Sequence, residues 1–144
     1  MLLKKYSFGL QSILNLRNIE EKESMFALAS AQKRLQEEKD ALEELKNQKY
    51  QVERVSKNKM TIQDLRAIDV YKRHLSEQIV NKEMDVKAAK ENLRKTKEKL
   101  LKAHKEKKIM ETLKEKDYEV HKENERKEEE RQIDEFNTSR DKRR

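Results

Sequence analysis

The chain has 144 residues, of which 33% are hydrophobic, 45% charged and 5% aromatic, and its formal net charge is +7. That is the length of one domain, with too few apolar side chains for a globular core of ordinary shape. There is no cysteine, no proline and a single glycine, which excludes disulfides, thiolate catalysis and Cys-based zinc sites and leaves almost nothing to interrupt a helix.

So polar a composition would default to disorder, but alanine, leucine, glutamate, lysine and arginine supply 81 of the 144 residues. These are the strongest helix formers, and with seven-residue spacing such a mixture marks a long helix or coiled coil. No apolar run approaches the roughly 18 residues of a membrane span. No apolar stretch follows Lys4 and Lys5, as a signal peptide would require. A soluble, intracellular protein is expected.

In chain order, Tyr6 and Phe8 alternate ahead of the first periodic segment. They either plug the end of a helical pair or stay exposed for a partner. Helix 1 is expected over about residues 8–55. Leu14, Leu28, Leu35 and Leu42 lie on one seven-residue series interrupted by Glu21, and Ala31, Leu45 and Val52 lie three residues on. The series stops at Ser56-Lys57-Asn58-Lys59-Met60, and a turn is expected at about 56–61. Thr61-Ile62-Gln63-Asp64 then reads as a helix start, because a Thr N-cap and an acid three residues later cap free amides reciprocally.

Helix 2 is expected over about residues 62–138, with a disordered end at about 139–144. Its a positions are Leu65, Lys72, Ile79, Val86, Leu93, Leu100 and Lys107. Its d positions are Ile68, Leu75, Lys82, Ala89, Thr96, Ala103 and Met110. Ten of these fourteen are apolar, a narrow seam of the kind that pairs helices by knobs-into-holes packing. A short connection between long helices favours antiparallel neighbours. The expected fold is therefore all-α, two long helices in an antiparallel coiled-coil hairpin. Equal rise along both helices places residue i opposite roughly residue 117 minus i. Helix 2 then outruns helix 1, and residues 113–144 are expected to form a single-helix overhang in which the seam fades into Lys114, Asp117 and His121.

Charge is unevenly placed. Lys87 to Lys108 holds ten Lys/Arg against three Glu. This is either a solvated face partly neutralised by Glu20, Glu21 and Glu23 or a contact for an acidic partner. Nucleic acid is disfavoured, since the stretch has no aromatic residues for stacking and matches no DNA-reading module.

Catalytic patterns are missing. His74, His104 and His121 are never one helical turn apart, and no metal-ligand spacing occurs. One glycine allows no phosphate-cradling loop. Carboxylates on exposed helix surfaces have nothing to split their pKa values. Neither enzymatic activity nor a cofactor or metal is expected.

The segment Tyr6-Ser7-Phe8-Gly9-Leu10-Gln11-Ser12-Ile13-Leu14-Asn15-Leu16-Arg17 resembles the opening of the flagellar export protein FliJ family, an aromatic pair followed by Leu-x-x-hydrophobic-Leu-x-hydrophobic-Arg. Tyr71-x-x-x-Leu75-x-x-x-Ile79 is similar to that family's segment after the turn. Glu106-Lys107-Lys108 and Ile133-Asp134-Glu135-Phe136 resemble its close. The sequence departs from the family before the turn, where Leu42, Leu45 and Tyr50 stand in place of several aromatics.

The resemblance implies a coiled-coil stalk of the bacterial flagellar type III export apparatus. Such a stalk binds a hexameric export ATPase and the export gate membrane protein, and assists delivery of export substrates or their chaperones. It would be cytoplasmic, reaching the inner face of the membrane only through partners, and monomeric when alone. Phe8, Leu10, Arg17, Asp134 and Phe136 become candidate ATPase contacts, and Leu42, Tyr50, Tyr71 and Leu75 candidate gate contacts. Two other readings stay open: a structural coiled-coil spacer that self-associates, and a basic nucleic-acid-binding rod.

Overall fold

The computed structural model describes residues 5–55 and 60–142. Two helices, α1 (Gln11–Val55) and α2 (Ile62–Lys142), run for 45 and 81 residues, with no strand among the described residues. They pair as an antiparallel hairpin. Residues 56–59, where the sequence places most of the turn, lie outside the described residues.

The helix ends follow from local chemistry. α2 opens on a reciprocal cap: the Asp64 N–H donates to Thr61 Oγ1 at 3.2 Å, and the Thr61 N–H donates to Asp64 Oδ2 at 3.4 Å. α1 has no such cap. It enters through a turn at Gly9-Leu10, where the Gln11 N–H donates to the Phe8 carbonyl at 3.1 Å and the Leu10 carbonyl accepts from Ile13 and Leu14. Phe8 therefore precedes the helix that the sequence starts at about residue 8. α2 continues to Lys142, through part of the stretch read as a disordered end. Nothing there breaks a helix, and the Thr138 hydroxyl folds back onto the Asp134 carbonyl at 2.8 Å.

The hairpin divides into two compact units. The first comprises Glu23–Leu101. Leu75, Val86, Ala89 and Ala31 are buried in its seam, with Leu28, Leu35, Leu42, Leu45, Ile79 and Leu93 half-buried. Two helices shield only a stripe of each other, so Leu75 at 1% exposure is the one large side chain fully buried among the described residues. Leu65, the first seam position of α2, stays exposed.

Polar residues also enter this seam. Thr96 is buried and satisfies its hydroxyl on the Asn92 carbonyl at 2.7 Å. Glu38, 8% exposed, accepts from Lys82 Nζ at 2.9 Å and Arg34 Nε at 3.0 Å. That pair corrects the equal-rise register, which sets Lys82 opposite residue 35. Side chains lean toward the N-terminus of their own helix. A lysine of α2 therefore meets an α1 residue nearer the interhelical connection than its own level.

The second unit comprises Met1–Lys22 and Lys102–Arg144. Phe8, Leu14 and Met110 form its buried cluster, with Tyr6 packed against it. Lys114 Nζ donates to Gln11 Oε1 at 2.7 Å, and Tyr6 reaches Asp117, Tyr118 and His121. Pairing thus runs past Leu113, and the single-helix overhang starts later than the register estimate places it. The same lean of the lysine accounts for part of the difference. The rest comes from Tyr6, which extends the N-terminal segment alongside α2 ahead of α1. Further along, Arg126 bridges Glu123 and Glu130 and Arg131 meets Glu128, solvent-exposed ion pairs within α2 that support the helix only weakly.

Candidate protein-binding surfaces

In the unit carrying the terminal segments, the aromatic pair splits into two roles. Phe8 turns inward, 9% exposed, onto Leu14 and Met110. Tyr6 lies across α2, its ring edge-on to Tyr118 at 4.9 Å and tilted against His121 at 5.2 Å. Its hydroxyl donates to Asp117 Oδ2 at 3.0 Å. Desolvation of the ring, then the Asp117 carboxylate, push its phenol pKa up. Lys122 caps the other aromatic, 4.7 Å from the Tyr118 ring centre.

Next inward is a charged layer. Arg17 Nη1 bridges Glu20 at 2.9 Å and Glu106 at 3.2 Å. Glu21 accepts from His104 Nδ1 at 2.9 Å and Lys107 Nζ at 3.2 Å. Those two hydrogen bonds, His104 first, hold the Glu21 carboxyl below the usual carboxylate range. Lys107 is pushed up by the same contact. Glu21 therefore sits inside the seam it had seemed only to interrupt.

Among the candidate ATPase contacts, Phe8 is core, Leu10 is exposed and Arg17 is half-buried in its ion pairs. Asp134 and Phe136 stand on the single-helix extension, with Phe136 66% exposed and Ile133 exposed beside it. Met110, which packs on Phe8, and Phe136 are about 40 Å apart along α2 at 1.5 Å per residue. The five candidates therefore form two patches, not one.

Among the candidate gate contacts, all in the other unit, Leu75 is buried and Leu42 half-buried, so both belong to the seam. Tyr50 and Tyr71 are exposed. Counting back from the Glu38–Lys82 pair brings these two tyrosines to about the same level of the hairpin, one on each helix. In the same unit Lys82 holds Glu38 below the usual carboxylate range through its hydrogen bond, against the opposing effect of burial.

The seam acids were readable only by keeping both seven-residue series of α1 running through their polar members, Glu21 between Leu14 and Leu28 and Glu38 between Ala31 and Leu45. They could then have been matched to Lys107 and Lys82, already seam positions of α2. His104 gave no signal of its own. Among the described residues no group of three His, Asp or Glu could hold a metal, and no helix is long and apolar enough to cross a membrane.

No curated protein and no solved structure matches the chain significantly. A protein-family model described as flagellar FliJ protein matches residues 6–144, nearly the whole chain. With an antiparallel helical hairpin under that match, the chain belongs to the flagellar FliJ protein family, a non-catalytic coiled-coil component of flagellar type III protein export.

Proposed function

We propose that the chain is the stalk of the export apparatus, engaging the hexameric export ATPase through its terminal segments and the export gate through the unit that carries the interhelical connection. Leu10, Arg17, Asp134 and Phe136 are the proposed ATPase contacts, with Phe8 supporting them from the core. Tyr50 and Tyr71 are the proposed gate contacts, held at one level by the seam to which Leu42 and Leu75 belong. Through these contacts the protein assists delivery of export substrates or their chaperones. It acts as a cytoplasmic monomer that meets the membrane only through its partners.

The observation that carries this reading is the exposed Phe136, with Ile133, on a helix that continues beyond the last cross-helix pair of the described residues. An exposed aromatic on an extended helix suits an anchor, since aromatics supply most of the energy at hot spots. The test is truncation after Glu130, which leaves Phe8, Leu14, Met110 and Tyr6 with their neighbours. The truncated chain is expected to keep its melting temperature while its affinity for the export ATPase falls by about tenfold or more, with loss of ATPase stimulation. Equal affinity and stimulation for truncated and full chains would overturn the proposal.

A further inference from the structure

The seam leaves aliphatic side chains exposed on one side of the terminal unit, next to its charged layer. Arg17 bridges Glu20 of its own helix and Glu106 of the other, so those two acids mark the same side of the hairpin. Seven residues before Glu20 stands Ile13, and seven after Glu106 stands Leu113; seven residues are two helical turns and return to the same face. Leu16 lies three residues on from Ile13, and Ile109 four before Leu113. All four are exposed, Ile109 at 60%. The Gln11–Lys114 and Arg17–Glu106 pairs put the two α1 residues within about a turn of the two α2 residues. Aliphatic side chains from both helices therefore share one strip.

Contiguous exposed apolar patches rimmed by polar residues mark interaction sites. On α2, Ile109 and Leu113 sit in a shallow groove with Lys105, Lys108, Thr112 and Lys116. No ion pair among the described residues engages any of those three lysines.

We infer that this strip is a docking surface for an amphipathic helix of a protein partner, apolar on one face and lined with carboxylates. The apolar residues lie along both helices, which is where a third helix packs. The unpaired lysines call for acidic flanks. A second copy is disfavoured, because a two-fold contact through the same patch would bring the lysines of both chains together. A lipid surface is disfavoured, because the strip offers only four aliphatic side chains and no aromatic, less than the large apolar face an interfacial helix buries.

The probe is a synthetic helical peptide of roughly 20 residues, with a Leu/Ile stripe flanked by glutamates, compared with the same stripe flanked by lysines. The full-length protein is titrated against both by fluorescence anisotropy, alongside the exposed-site double variant Leu16→Ser/Ile109→Ser, with melting temperatures checked. The glutamate peptide is expected to bind more tightly, more weakly as salt rises, and about tenfold more weakly to the double variant at an unchanged melting temperature. Equal binding of the two peptides, or no loss in the double variant, would overturn the inference. So would tighter binding to phosphatidylglycerol vesicles than to the glutamate peptide, or self-association that the double variant abolishes.

Discussion

Leu75 and Tyr71 lie one helical turn apart on α2, yet the structure gives them opposite jobs. Leu75 is 1% exposed and Tyr71 is exposed. Leu75→Ala removes three buried carbons, about 2–3 kcal/mol at roughly 0.8 kcal/mol each. The cavity left behind adds to that where neighbours do not collapse, within the range of about 2–5 kcal/mol seen for Leu→Ala in cores. A two-helix seam lets water reach its edges, so the lower half of that range applies. For a chain of this length the loss corresponds to a melting temperature lower by on the order of 10 °C. Tyr71→Ala removes a side chain that is 44% exposed, outside the buried seam, and is expected to cost no more than about 1 kcal/mol. Thermal unfolding followed by circular dichroism at 222 nm separates the two. If Leu75→Ala melts with the parent, or Tyr71→Ala melts as low as Leu75→Ala, the assignment of Leu75 to the seam and Tyr71 to the surface is wrong. The comparison also matters for the gate, because a binding defect in Leu75→Ala would then be a folding defect.

Glu38 and Glu21 have carboxyl groups held below their unfolded value by hydrogen bonds, chiefly from Lys82 and His104 respectively. Their contribution is thus present above the unfolded pKa and is lost as pH falls through the folded one, so the melting temperature should drop below roughly pH 4–5. Glu38→Gln should flatten that acid limb, and an unchanged limb would contradict the pairing. Lys82 and Lys107 are raised, so their share is lost only on the alkaline side, as pH rises through the folded value above roughly 10. Thr61→Ala removes one half of the α2 cap and should cost about 1 kcal/mol in urea unfolding, with Thr61→Ser restoring most of it; an Ala variant as stable as the parent would mean the cap is idle.

The hairpin was legible because its apolar seam repeats. Val86, Ala89, Ala103 and Met110 fall where the seven-residue count puts them, and burial follows. What stayed hidden were features that need both helices at once. Glu21 looks like an interruption until Lys107 and His104 are seen opposite it, and Glu38 cannot be told from a surface acid without Lys82. Register was misjudged for the same reason: equal rise fixes the level of Cα atoms, whereas long side chains lean along the helix before they meet. Of the proposed contacts, Phe136 stands exposed on α2 well past Met110, the last seam position read from the sequence. Phe8 and Leu75 carry family-like spacing but point into the core. Sequence spacing alone does not separate a packing residue from a surface residue at neighbouring helical positions.

The central claim is that the terminal unit meets the ATPase and the connection unit meets the gate. In-cell photo-crosslinking addresses it most directly, with a photoreactive phenylalanine analogue placed singly at Phe136 and at Tyr50, both exposed. The probe at 136 is predicted to capture the export ATPase, and the probe at 50 the cytoplasmic part of the export gate. Capture of neither protein at 136, or of the gate at 136 and the ATPase at 50, would contradict the account.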